Sequence, residues 1–368
     1  MDYIRTLGWR DVRILLLSPY GSRATGVVSF VHALSDRLRA RGHEVRALLP
    51  EGTAPQGFGN FRLAWLAVRQ VWRLRKTTDL IHVQQLHPQS VAAATLARIL
   101  GKGVVLTVHG RSPRPTGLRG WVFDLSERLS LRAPHGLVFV ASSLRESFRG
   151  GGIVIPNGVD AGAIRARVDA LRQSAPARAR GCAFLFLGRI SKDKGFLVLL
   201  NAFAAVRSRS EETRLVAVGP VDEAVEAEVR SQEGRLSRDV EFVGLVETPS
   251  DHLAVADVFV LPSFHEGLPI SLLEAMAAGL PAVVTTVGDM PAVVRPGETG
   301  WLVDPGDQAG LESAMVEAAS SRAGREAMGA RASSLVASSY DLEQCVRSYE
   351  EAYGRAVRAA GHLGGANA

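Results

Sequence analysis

Short apolar runs alternate with stretches of helical periodicity along the whole chain. The apolar runs predict β-strands at 12–18, 44–49, 79–84, 103–109, 136–140 and 153–156, and again at 182–188, 214–219, 240–244, 258–261, 282–286 and 301–303. Helical patterns fill the intervals, in the first half at 26–41, 61–76, 89–100, 120–132 and 142–148. Strands that alternate with helices form parallel sheets covered by helices on both faces. Two successive sets of six such strands predict an α/β protein of two Rossmann-like, doubly wound parallel-sheet domains.

The 368 residues exceed what one hydrophobic core comfortably organises, in keeping with that division. The turn signal Asn157-Gly158 in IPNGVD precedes the charged, alanine-rich RARVDALRQSAPARARG, which places the boundary between Pro156 and Arg180. The expected domains are 1–160 and 161–341. A last helical pattern, 342–360, follows a break at Ser338–Asp341, and the closing GHLGGANA is glycine-rich and expected to fray.

Composition narrows the class. With 46% hydrophobic and 22% charged residues the chain is ordinary for a soluble globular protein. No uninterrupted apolar run approaches the about 18 residues of a membrane helix, and MDYIRTLGWRD is too polar for a secretion signal. A cytoplasmic protein is expected. Cys182 and Cys345 fall in apolar-periodic segments, which predicts two reduced, buried thiols rather than a disulfide. No Cys/His cluster has metal-ligand spacing, so neither a metal nor a cofactor is expected. The net charge of +6 is dispersed along the chain, as an arginine- and alanine-rich composition would leave it. Apart from 61–76 there is no focused basic-aromatic patch, and no nucleic-acid partner is expected.

The most informative segment is HEGLPISLLEAMAAGLP. An apolar strand ends at Leu261, Pro269 stands where a first helical residue belongs, and SLLEAMAAG reads as a helix closed by Gly279. Glu266 therefore sits on the loop at a strand's C-terminal end, and Glu274 on the helix that leaves it. Open parallel sheets bind ligands at this edge. A helix N-terminus presents free N–H groups and the positive end of a dipole, which suit phosphate. Two acids flanking an anion site suit the hydroxyls on either side of a diphosphate. Two solvated acids on an amphipathic helix are the alternative, and the position just past an apolar strand argues against it.

In GRISKDKG, Arg189 and Lys194 straddle a loop after the strand CAFLFLG, at the corresponding edge of the same expected sheet; two cations there would clamp a diphosphate, or form a plain basic turn. His109 ends the strand GVVLTV and would project from the edge of the first sheet, to hydrogen-bond a sugar hydroxyl or to serve structure. His82, His87 and His265 are weaker candidates of the same kind. The first loop, SPYGSRATGVVSF, carries Gly21 and Gly26 but not G-x-G-x-x-G, which disfavours a dinucleotide enzyme. FRLAWLAVRQVWRLRK, 61–76, holds five cations and two tryptophans in sixteen residues. Such a helix suits an anionic membrane surface, and equally suits packing its apolar stripe on the first domain.

Together VIPNGVD at 154–160, GRISKDKG at 188–195, EGLPISLLEAMAAGLPAVVTT at 266–286 and ETGWLVDPGD at 298–307 resemble the retaining glycosyltransferases of family 4. The resemblance spans nearly the whole chain. It implies the GT-B architecture: two Rossmann-like domains facing a cleft, 1–160 binding the acceptor and 161–341 the nucleotide-sugar donor, with the last helix crossing back to the first domain. It implies that Arg189 and Lys194 bind the donor diphosphate, Glu266 lies beside the donor sugar, Glu274 holds the ribose, and His109 lies near the reacting sugar. Gly267, Leu268 and Ile270, at the head of the helix, complete the donor set. Gly26 approaches phosphate and acceptor, although Thr25-Gly26 stands where the family often has two glycines. The implied partners are a UDP- or GDP-sugar and a glycan or lipid-linked acceptor, in bacterial cell-surface polysaccharide or glycolipid synthesis, at the inner face of the plasma membrane if 61–76 lies on lipid. The implied reaction retains the anomeric configuration and uses no metal. An epimerase of the same architecture, acting without an acceptor, and a non-catalytic nucleotide-sugar-binding protein are the rival readings.

Overall fold

The computed structural model describes residues 12–18, 26–48, 59–85, 88–110, 127–129, 131–132, 134–148, 151–174, 181–209, 212–236, 239–246 and 248–364. The chain divides into two compact units, one of Met1–Pro156 with Glu343–Ala368 and one of Asn157–Leu342.

Unit one carries strands β1 (Arg13–Leu17), β2 (Glu44–Leu48), β3 (Leu80–Gln84), β4 (Gly103–Val108), β5 (Gly136–Phe139) and β6 (Ile153–Val154). They form one sheet in the order β2-β1-β3-β4-β5-β6, parallel throughout. Its helices are α1 (Gly26–Ala40), α2 (Gly59–Leu74), α3 (Pro88–Ile99) and α4 (Ser142–Phe148). Of the helix expected at 120–132, residues 127–129 and 131–132 are helical and the others lie outside the described residues. Every residue of β3 and β4 is buried, as strands between two helix layers must be. Leu15, Leu17, Ile81, Val83, Val104 and Leu106 pack with Val71, Ala93, Ala94 and Ala97 to make the core.

Unit two carries α5 (Ala161–Ser174), β7 (Cys182–Leu187), α6 (Phe196–Arg209), β8 (Thr213–Val218), α7 (Glu223–Leu236), β9 (Val240–Gly244), α8 (Ser250–Val255), β10 (Val258–Leu261), α9 (Ile270–Ala277), β11 (Ala282–Thr285), α10 (Met290–Val293), β12 (Gly300–Val303), α11 (Gln308–Ser320) and α12 (Arg322–Ser339). The sheet order is β12-β11-β10-β7-β8-β9, again all parallel. This is the doubly wound Rossmann order, whose strand progression reverses between β7 and β10; ligands of such sheets bind outside the strand C-termini at that reversal. Each of the twelve expected strands is present, within about two residues of its expected ends. Cys182 and Cys345 are buried thiols outside any disulfide, and burial pushes the Cys182 thiol up to about 12.

The last helix, α13 (Leu342–Gly364), belongs to unit one except for its first residue. It buries Val346, Tyr349, Tyr353 and Ala356 completely or nearly so. Glu350 anchors it, 2.8 Å from Arg41 Nε and 3.1 Å from His43 Nε2. Among the described residues no helix is long and apolar enough to cross a membrane.

Candidate active site

At the β7/β10 reversal the chain leaves two strand ends within reach of each other. After β7, the loop Gly188–Gly195 turns sharply. Gly195 has φ +67°, and a Cβ there would meet the Pro262 carbonyl oxygen at 2.0 Å, so only glycine lets this turn lie against the end of β10. Phe264 N–H donates to Asp193 O at 2.9 Å and fastens the two loops. The consequence is a direct contact between residues far apart in sequence. Lys194 Nζ lies 2.5 Å from Glu266 Oε1, with Glu266 only 10% exposed. Ser263 Oγ donates to the same oxygen at 2.9 Å, and Thr285 Oγ1 donates to Ser263 O at 2.6 Å.

Arg189 stands apart from that pair. It is half exposed and divides its guanidinium between Asp193 Oδ2 at 3.0 Å and Asp222 Oδ2 at 3.3 Å. Thus Arg189 and Lys194 are each compensated by carboxylates. An anion arriving there must compete with Asp193 and Asp222 for Arg189. Lys194 has three donor hydrogens and can serve Glu266 and a second oxygen together.

The loop after β10 delivers α9. Pro269 is the N-cap, with extended ψ of 130°, rather than the first helical residue expected from the sequence. The reason is that the residue before a helix keeps a non-helical ψ, and the fixed φ of proline satisfies that position too. The helix ends in a left-handed glycine: Gly279 has φ +81°, its N–H bonds Met276 O at 2.9 Å, and Leu280 N–H reaches back to Ala275 O at 3.0 Å. Leu268 and Ile270 are buried, so their side chains pack the loop while the first-turn N–H groups of α9 remain without intrahelical acceptors. Asn157, itself 3% exposed, donates Nδ2 to Leu268 O at 3.0 Å and holds this loop to the NGVD turn. Glu274 lies one turn into α9. Its carboxyl has no hydrogen-bond or ion-pair partner among the described residues, and burial pushes its pKa up to about 7.

His109 belongs to unit one, just past β4. Its Nε2 lies 2.6 Å from Gln84 Oε1 and its ring packs edge-on to Phe30 at 6.0 Å. Burial lowers its pKa to about 4. His82 is fully buried and lowered to about 3 by burial and by His109; it is bonded at both nitrogens and has no free position for a ligand. His87 lies outside the described residues, as do Gly21 and Thr25, whereas Gly26 is the exposed first residue of α1. Among the described residues no three His, Cys, Asp or Glu side chains gather as metal ligands. Sequence reasoning missed Ser263, Asp193, Asp222, Asn157 and Gln84. Asp222, Asn157 and Gln84 are ordinary polar residues whose partners lie in other segments, and Ser263 and Asp193 bond within their own loops only once those loops are folded.

A family model described as glycosyl transferases group 1 matches residues 181–321, and one described as glycosyltransferase family 4 matches residues 24–162. The chain is 32% identical over 339 residues to the phosphatidyl-myo-inositol mannosyltransferase of Mycobacterium leprae, covering 83% of this chain and 87% of that protein. Among solved structures, the fold resembles sucrose-phosphate synthase from Thermosynechococcus elongatus, with a TM-score of 0.77, 21% identity and coverage of 94% of this chain and 100% of that one. It also resembles HepE from Anabaena in complex with UDP, with a TM-score of 0.71, 20% identity and coverage of 92% and 99%.

Proposed function

The chain is a glycosyltransferase of family 4, and from that premise we propose that it moves a hexose from a UDP- or GDP-sugar to a hydroxyl of a lipid-linked or glycan acceptor, with retention of the anomeric configuration. One observation carries the site assignment: Lys194 and Glu266, from loops after different strands, meet at the strand-order reversal beside the head of α9. In this reading unit two binds the donor. Arg189, Lys194 and the N–H groups of Gly267, Leu268 and Ile270 take the diphosphate, whose charge grows as the glycosidic bond breaks. The positive end of the α9 dipole adds to them. Glu274 receives the ribose hydroxyls, and Glu266 orients the sugar and supports positive charge at the anomeric carbon. In unit one, His109 and Gly26 serve the acceptor. No cofactor has a part in the scheme.

The acceptor class draws on two features. The Mycobacterium leprae relative is named as a phosphatidyl-myo-inositol mannosyltransferase. In this chain α2 exposes Trp65 and Trp72, 59% and 53% accessible, with Arg69 and Arg75 stacked on them; tryptophan flanked by cations favours an anionic bilayer surface. The reading is tested by incubating the protein with UDP- and GDP-linked hexoses, mannose included, with and without vesicles containing phosphatidylinositol. Sugar appearing in lipid with retained configuration is the expected result. Donor consumed equally without acceptor, to an epimer, would replace transfer by isomerisation. For the clamp, Lys194→Ala or Arg189→Ala removes a charge-assisted hydrogen bond of about 1.5–3 kcal/mol, which calorimetry with the matching nucleoside diphosphate reads as roughly a 10- to 150-fold weaker Kd. Unchanged affinity in both variants sinks the clamp.

A further inference from the structure

A chain of buried polar groups runs from the last helix to His109. Tyr353 OH lies 2.7 Å from His82 Nδ1, and Thr107 Oγ1 lies 2.8 Å from His82 Nε2 and 3.1 Å from Tyr349 OH. The amide nitrogen of Gln84 lies 3.2 Å from His82 Nε2, and its carbonyl oxygen faces His109 Nε2. Both tyrosines, His82, Thr107 and Gln84 are essentially inaccessible, so each group is confined to the partners it has. The backbone turns directly after this point. Gln85 has φ 89°, uncommon for any residue but glycine, and its N–H donates to Thr107 O at 2.7 Å.

A carbonyl oxygen only accepts. Against Gln84 Oε1, His109 must carry its proton on Nε2, which leaves the lone pair on Nδ1. That atom is buried and has no partner among the described residues.

We propose that Gln84 is a positioning residue for His109, holding it as the Nε2–H tautomer so that Nδ1 is a permanent acceptor for the hydroxyl hydrogen of a bound sugar. The functional half rests on the reading that His109 meets the reacting sugar. The opposite tautomer would present an N–H and select oxygens that only accept. The groups that face His109 are Gln84 and His82 from β3 and Phe30 from α1, with Thr107 from β4 and Tyr349 and Tyr353 from α13 behind them. Among the described residues none of these is a carboxylate, so nothing described there favours an imidazolium, and Nδ1 keeps its lone pair through the neutral range.

The test is ring-nitrogen NMR on the full chain labelled with ¹⁵N-histidine, His109 being assigned with a His109→Asn variant. The wild-type protein should show His109 protonated at Nε2 and bare at Nδ1 from pH 6 to 8. Gln84→Glu keeps the shape but sets a carboxylate against Nε2–H. The His109 titration midpoint should then rise by about one pH unit or more, and the acid limb of the turnover profile should follow it. Gln84→Leu should mix the tautomers and lower kcat roughly tenfold or more, with a smaller change in the donor KM. A wild-type His109 protonated at Nδ1 overturns the proposal whatever the Gln84 variants do. So does a Gln84→Glu protein, folded by its melting curve, in which His109 titrates as before. Full turnover in His109→Asn overturns the functional half alone, since the tautomer is read independently of activity.

Discussion

Glu274 is a carboxyl held where it resists ionisation. In the folded chain burial raises it to about 7 from an ordinary 4.5, so between those values the native state binds more protons than the unfolded one. Stability then falls as pH rises through that window. The contribution is fully present below about 4.5 and lost above about 7, up to about 3 kcal/mol across it. Glu274→Gln removes the dependence. The variant should melt higher than wild type at pH 8 and no differently at pH 4.5, while binding nucleoside diphosphate more weakly if the ribose is its partner. Equal melting curves at pH 8 would show that the carboxyl is better solvated than its place on α9 implies. Such residues were only half legible in the sequence. The strand-then-helix pattern put Glu266 and Glu274 on the correct segments, but the contact of Glu266 with Lys194, 72 residues away, and the isolation of Glu274 depend on how separate loops meet. His82 and Gln84 look like polar interruptions in an apolar strand, because Tyr353, which His82 bonds, lies 271 residues away.

At the scale of elements, periodicity located the strands because a strand buried on both faces is an apolar run bounded by polar turns. Helix ends were less legible. The helix expected at 61–76 occupies Gly59–Leu74, and Pro269 caps α9 rather than opening it, since backbone bonding sets an end while side-chain pattern sets only a middle. The use of α2 follows from its exposed side. Trp65 and Trp72 are seven residues apart and hence on one face, and both remain largely exposed with arginines stacked over them. Wild-type protein should float with vesicles rich in anionic lipid and be released by high salt, because screening removes the electrostatic part. Replacing Arg69, Arg73 and Arg75 with glutamate should abolish flotation while leaving the melting temperature within a few degrees. Protein that never floats makes α2 a surface helix and shifts the acceptor toward soluble glycans.

For the whole molecule, the decisive fact is that α13 lies at the end of the described chain but in the first unit. Its tyrosines fill unit one and complete the bonding of His82 and Thr107. Deleting 343–368 removes several wholly buried side chains and strands polar groups that burial then penalises by about 1–3 kcal/mol each. Hydrogen exchange should show unit one losing protection throughout while β7–β12 keep theirs. Protection retained in β3 and β4 would mean that α13 only covers a core already complete.

That arrangement also sets an order of assembly on the ribosome. Unit two has all its strands and helices as soon as Leu342 has emerged, whereas unit one, begun earlier, waits for α13. At about 5–20 residues per second, synthesis of unit two holds unit one unfinished for on the order of 10–40 seconds. During that interval β3 and β4 offer apolar surface to other chains and to chaperones, and the half of the enzyme made first is the half completed last.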